Sequence, residues 1–365
     1  MRHERFEKEI NSSPMRVIHF VESLKGGPAT YLNELLPFQV RAYEHVAVFC
    51  PEGQAQFITC DGVEVIPFSE TGRGPLGIAR LLAYWVRYAA SNNYDVLHLH
   101  STFAGLAGRL APRMGRARLV YCPHGWSFAM DSAPAKRRVY AFVERLLAHR
   151  TDAIINISAS EEAIATRVGI PKAKSALIHN GISDAKWSPL PEGRQPSRLL
   201  FVGRYDRQKG IDILIEAMQE LAPLGYTLTM IGGSVISTPT LGHLPPGVTD
   251  LGWRKPQEIQ DAMAEADVVV MPSRWEGFGY VGVEAMRAGR PLIASAVGGL
   301  EELVIDNQTG ILCTPNSVSA LINAILRLSQ MNTRTLGINA RLRYEAFFTA
   351  ERMFQQLEAV YRERA

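Results

Sequence analysis

"DVVVMPSRWEGFGYVGVEAMRAGRPLIAS" runs from Asp267 to Ser295. It reads as one strand–loop–helix–strand unit. The run 267–272 is almost wholly apolar, and so is 290–295 after its Arg-Pro start. Strands that lack hydrophobic–polar alternation belong to parallel sheets buried on both faces. Between them Gly277, Gly279 and Gly282 keep the backbone accessible, and a helix is expected to begin near Tyr280–Val283. One carboxylate, Glu276, precedes this start; a second, Glu284, falls in the first turns of the helix.

The same unit repeats in both directions. Apolar strand-like runs stand at 16–21, 45–50, 95–100, 118–123, 152–158 and 175–180, then at 198–203, 226–232, 267–273, 290–295 and 310–315. Helical stretches lie between them. One opens at Ser158 with Glu161 three residues on, a capping box, and stops at Gly169 and Pro171. Alternation over the full length predicts an α/β chain. The rhythm breaks in the proline-rich stretch 180–197. Two doubly wound domains are therefore expected, 1–185 and 196–345, joined by a linker at 186–195. Ligands bind such sheets outside the carboxyl ends of their strands.

Composition agrees with a soluble globular chain: 365 residues, 47% hydrophobic and 21% charged. The charged N-terminal dozen resembles neither a signal peptide nor an anchor. The scattered cysteines Cys50, Cys60, Cys122 and Cys313 have no zinc-like spacing and read as free thiols of a reducing cytoplasm. Residues 1–190 hold 22 Lys+Arg against 17 Asp+Glu, and 101–150 hold nine basic residues against two acidic ones. That local excess calls for a partner.

Four loops at strand ends carry candidate chemistry. In "VESLKGGPATYL" (21–32) the pair Gly26-Gly27 precedes a helix led by Pro28, which suits either an anion at the helix start or a plain tight turn. In "CPHGWSF" (122–128), His124 follows a buried strand and suits either a substrate hydroxyl or an internal hydrogen bond. In "FVGRYDRQKG" (201–210), Arg204 and Lys209 suit a diphosphate, because cations at a helix start oppose its dipole unless an anion joins them. In the opening stretch an anion on the helix amides would be flanked by two carboxylates that can each accept from a pair of hydroxyls. That describes a nucleotide diphosphate sugar; the other reading is two capping carboxylates.

Taken in order, Gly26-Gly27, "HG" (124–125), "HNGIS" (179–183), "GRYDRQKG" (203–210), "PSRWEGFGYVGVEAMRAGRPLIAS" (272–295) and "VGG" (297–299) resemble the retaining glycosyltransferases of the GT-B fold, family four. The resemblance covers nearly the whole chain. It implies two Rossmann-like domains facing across a cleft, an N-terminal one for the acceptor and a C-terminal one for the nucleotide sugar, with a C-terminal helix (346–365) returning to the first. It places Arg204 and Lys209 on the donor diphosphate, Glu284 on the ribose and Glu276 on the transferred sugar. Phe278, Gly279 and Tyr280 would approach sugar and phosphates through their amides. Gly26 or Gly27 would meet the diphosphate, His124 the sugar beside the reacting centre, and Trp253 and Arg254 the base. His124 and Glu276 are the expected catalytic residues. Where the family commonly has Asp after "NGI", this chain has Ser183 and then Asp184, so Asp184 is given no role. No metal or other cofactor is expected, since no Asp-x-Asp occurs. Asp131 is the only candidate for a protein nucleophile.

The resemblance leaves the donor open between GDP- and UDP-linked hexoses. The run 122–130 and the basic helix after it resemble members that build bacterial exopolysaccharide or surface polysaccharide. The expected acceptor is then a sugar on a polyprenyl diphosphate, with no nucleic-acid partner. A nucleotide-sugar 2-epimerase and a non-catalytic sugar-nucleotide-binding protein are the rival readings. The stretch 133–150 has Val139, Tyr140, Val143, Leu146 and Leu147 at helical spacing among Lys136, Arg137, Arg138, Arg145 and Arg150. With Arg109, Arg113, Arg116 and Arg118 it forms a candidate face for an anionic membrane. The protein is accordingly expected in the cytoplasm, peripheral on the inner membrane face.

Overall fold

The computed structural model describes residues 13–113, 115–130, 132–193, 195–234 and 244–363. They form two compact units. The first comprises residues up to Gly181 together with those from Ala350 on; the second is Ile182–Thr349. The proline-rich stretch after Gly181 thus counts with the second unit.

The first unit holds strands β1 (Ser13–Val21), β2 (Tyr43–Pro51), β3 (Glu64–Phe68), β4 (Val96–His100), β5 (Arg118–Cys122), β6 (Ala153–Asn156) and β7 (Ser175–Leu177). Its helices are α1 (Gly27–Ala42), α2 (Pro75–Ala89), α3 (Ser101–Leu110), α4 (Pro134–Ala148) and α5 (Ala159–Arg167). The sheet is parallel, in the order β3-β2-β1-β4-β5-β6-β7. The order reverses between β1 and β4. Side chains alternate across each strand. Ile18, Phe20, Leu97 and Leu99 face a core with Trp85, where the Phe20 and Trp85 rings stack at 5.1 Å. His19, His98 and His100 take the intervening positions and are fully buried.

The second unit holds β8 (Arg198–Arg204), β9 (Thr227–Gly233), β10 (Val248–Asp250), β11 (Val268–Met271), β12 (Leu292–Ser295) and β13 (Gly310–Cys313). Helices α6 (Ile211–Leu221), α7 (Pro256–Glu265), α8 (Tyr280–Arg287), α9 (Leu300–Leu303), α10 (Val318–Ser329) and α11 (Thr333–Phe347) pack with them. Its strand order, β10-β9-β8-β11-β12-β13, reverses between β8 and β11. Both units are doubly wound parallel sheets, as the uninterrupted apolar runs require.

The last helix, α12 (Ala350–Arg362), belongs to the first unit. It packs on α1, with Phe354 stacked on Phe38 at 5.7 Å, and it buries Met353, Leu357, Val360 and Tyr361. Capping follows the sequence at α5, where Ser158 Oγ accepts from the Glu161 amide at 3.1 Å. The four cysteines are unpaired; Cys60 is partly exposed and the others are buried. Among the described residues no helix is long and apolar enough to cross a membrane.

Candidate active site

In the second unit the predicted residues gather at the reversal point. Arg204 is the last residue of β8, exposed, and it meets Gln208 Oε1 at 2.7 Å and Asp206 at 3.1 Å. Lys209 lies on the turn into α6. Glu276 comes from the loop after β11. Lys209 Nζ donates directly to Glu276 Oε2, and both side chains are largely covered, at 17% and 10% exposure. Residues that the sequence offered to two different parts of a ligand therefore form an ion pair with each other.

The two loops are stitched together. The Arg274 amide donates to Gln208 O at 2.8 Å and Gln208 Nε2 to Trp275 O at 3.2 Å, while Arg274 forks onto Asp212 at 2.8 and 2.6 Å. Close approach explains Gly298: it has φ +53°, and a Cβ there would lie 2.0 Å from Glu276 O. Gly279, at φ +100°, precedes α8, and a Cβ there would lie 3.5 Å from Glu276 Cγ, so the start of that helix lies beside Glu276. Glu284 sits one turn further along the same helix, half-buried.

Trp253 and Arg254 follow β10, and Trp253 is 61% exposed. A Cβ on Gly233 would come within 2.6 Å of the indole nitrogen, so glycine lets this ring lie on the end of β9. Tyr205 and Asp250 were not singled out from sequence. Tyr205 Oη donates to Asp250 Oδ1 at 2.7 Å, and that carboxylate also accepts from the Gly252 amide at 2.8 Å, which fixes the Trp253 loop to the Arg204 loop. Asp184 serves the packing of the second unit. It pairs with both outer nitrogens of Arg341 at 2.7 and 2.8 Å, and this guanidinium holds its carboxyl below the usual range.

In the first unit Gly26 has φ +85° and open space where a Cβ would go; it caps α1, whose first residue is Gly27, and both glycines are exposed. His124 adopts φ +50°, a strained conformation for a non-glycine residue. Its ring turns inward. Nε2 lies 2.9 Å from His100 Nδ1, and Nδ1 lies 3.6 Å from Cys122 Sγ. Burial lowers its pKa to about 3, so the ring is neutral at physiological pH. It can exchange its weak thiol contact for a hydroxyl; it is not an acid at neutral pH. Asp131 lies outside the described residues. One expected basic residue is withdrawn from the surface. Arg109 is buried, paired with Glu144 at 2.7 Å and set over the Tyr121 ring at 3.8 Å, so it cannot face a membrane.

Comparison with known proteins places this geometry. The family described as "Glycosyl transferases group 1" matches residues 196–331, and "Glycosyl transferase 4-like domain" matches 26–181. An uncharacterized 41.2 kDa protein of the cps region of Klebsiella pneumoniae is 36% identical, over 82% of this chain and 86% of its own. The Escherichia coli UDP-Gal:alpha-D-GlcNAc-diphosphoundecaprenol alpha-1,3-galactosyltransferase is 27% identical over 65% of this chain and 66% of its own. The structure of sucrose-phosphate synthase from Thermosynechococcus elongatus superposes with a TM-score of 0.80 at 27% identity, covering 95% of this chain and 98% of that one. Family matches in both units, a relative along most of the chain and a shared two-sheet GT-B fold agree: the protein is a glycosyltransferase of the group 1, 4-like family.

Proposed function

We propose that the protein transfers a hexose from a nucleotide diphosphate sugar to a lipid-linked sugar acceptor, with retention at the anomeric carbon, in polysaccharide assembly. The observation that carries this reading is the Lys209–Glu276 pair at the β8/β11 reversal, flanked by Arg204 and the α8 amides. A donor diphosphate would take Lys209 from Glu276, and a sugar hydroxyl would take the freed carboxylate. Ligand groups would replace an internal ion pair, so Lys209 and Glu276 each have a partner in both states.

Departure of the nucleoside diphosphate leaves an oxocarbenium-like sugar and puts negative charge on the leaving oxygen. Arg204, Lys209 and the amides of Phe278, Gly279 and Tyr280 are fixed donors for that charge, the arrangement that lowers such barriers most. They serve the diphosphate without a metal ion. The leaving oxygen accepts the acceptor's proton on the same face, which preserves configuration. Glu284 is assigned to the ribose, and the Trp253–Arg254 loop to the base. In the first unit we assign the Gly26-Gly27 turn to phosphate and His124 Nδ1 to a sugar hydroxyl.

The E. coli relative named above supports a UDP-linked donor and a polyprenyl diphosphate acceptor. The cps-region relative supports the role in surface polysaccharide. Helix α4 supports membrane docking: Val139, Phe142 and Leu146 are 59%, 62% and 53% exposed, next to exposed Lys136, Arg138 and Arg145. Release of nucleoside diphosphate should depend on a lipid-linked acceptor, and NMR of the product should show the donor's anomeric configuration. Inversion would overturn the mechanism. Conversion of the donor without any acceptor would favour a 2-epimerase, and donor binding with no release a binding protein.

A further inference from the structure

At the reversal point of the first sheet, three histidines meet with no part in the chemistry above. His19 on β1 pairs in register with His98 on β4, and His100 follows two residues on, facing the same way. One nitrogen from each ring lies within 4.8 Å of the others, and His19 Nδ1 is 2.9 Å from His100 Nε2. The remaining nitrogens are held from outside the trio. His19 Nε2 meets Gln39 Oε1 of α1 at 2.7 Å. His98 Nδ1 meets Tyr361 Oη of α12 at 2.7 Å, and His100 Nδ1 meets His124 Nε2 at 2.9 Å. Among the described residues, His98 Nε2 is fully buried and has no hydrogen-bond partner.

The proton count shows what this arrangement lacks. Gln39 Oε1 only accepts, so His19 carries its proton on Nε2 and offers a lone pair at Nδ1. With imidazoles alone, His100 Nε2–H must fill that lone pair, and His98 Nε2 is stranded in the interior. Buried polar nitrogens are rarely left so. A cation accepts all three inner lone pairs at once. Every outer nitrogen then becomes an N–H donor, to Gln39, Tyr361 and His124. Outer partners of this kind orient ligating histidines at metal sites, and imidazole suits zinc and its neighbours.

We propose that His19, His98 and His100 bind a zinc-type transition-metal dication, with water in the fourth position, as a structural clip. The clip ties β1 to β4 and, through Gln39 and Tyr361, ties α1 and α12 to the sheet. It does not touch the donor phosphates and does not rest on the transfer reaction.

The test is metal content and its effect on melting, measured on the full chain. Wild-type protein given Zn2+ and passed through chelating resin should keep about one equivalent per chain. Its melting temperature should rise with Zn2+ and fall with a strong chelator. His98→Phe should lose the metal and the response, while replacement of the exposed His149 by alanine should change neither. Should His98→Phe fail to fold, Co2+ in the wild type decides: intense visible bands of a tetrahedral nitrogen site support the clip. A wild type that takes up neither ion, a His98→Phe protein that retains zinc, or a cobalt spectrum like that of the hydrated ion overturns it.

Discussion

The Lys209–Glu276 contact sets the behaviour of the donor site at the scale of single residues. Glu276→Ala should lower turnover of the sugar nucleotide without weakening the free nucleoside diphosphate, since Lys209 then no longer has to leave an internal partner. Glu284→Ala should weaken both, since ribose is common to both ligands. Calorimetry on the two variants checks the division, and identical behaviour would refute it. Gly298→Ala should damage the same site from behind. Its Cβ would collide with Glu276 O, in a backbone region that L-residues avoid. We expect a loss of about 1–3 kcal/mol in stability with weaker donor binding, read from chemical denaturation and titration. Glu276 and Glu284 were legible because both lie on one continuous strand–loop–helix. The Lys209–Glu276 pairing was not, because it joins residues 67 apart. Nor was the histidine trio, in which His19 lies 81 residues from His100 and His98 reaches Tyr361 across 263.

Helices and strands show the same limit. The strands read from sequence include every central strand and two sheet edges, β7 and β13, which lie in the longer runs 175–180 and 310–315. The two missed, β3 and β10, are sheet edges. β3 is mostly partly exposed and contains Pro67, and β10 is three residues long, so neither has the apolar run that gives a strand away. Helix α4 was expected to be amphipathic. The structure buries Leu147 and exposes Phe142 beside Val139 and Leu146, so the apolar ridge faces outward more than the spacing suggested. Replacing Lys136, Arg137 and Arg138 by Glu should abolish sedimentation with anionic vesicles, and salt should do the same to the wild type. Binding that survives both would exclude electrostatic docking. Arg109 provides the contrast. Arg109→Ala strands Glu144 in the interior and should cost about 3–5 kcal/mol on denaturation, with no direct effect on vesicles.

Across the whole molecule the chain makes two units, each with its own core, and returns at its end to the first. The expectation of two doubly wound sheets followed from strand–helix alternation and its break at 180–197. Ownership of α12 did not, since nothing local says which sheet a terminal helix covers; the family resemblance supplied that. Deleting residues from Ala350 on uncovers Tyr43, Phe38 and the α1 face. It forfeits about 1.5–3 kcal/mol for each large apolar side chain that α12 buries. Calorimetry should therefore show the first unit melting early, with the second unit's transition little changed. The central claim is that Lys209 and Arg204 hold a donor diphosphate. The most direct measurement is the ratio of nucleoside diphosphate to nucleoside affinity, in the wild type and in Lys209→Ala and Arg204→Ala. Each charge-assisted contact contributes about 1.5–3 kcal/mol. The account predicts that either substitution weakens the diphosphate by roughly ten- to a hundredfold and leaves the nucleoside nearly unchanged. Equal weakening of both ligands, or of neither, would contradict it.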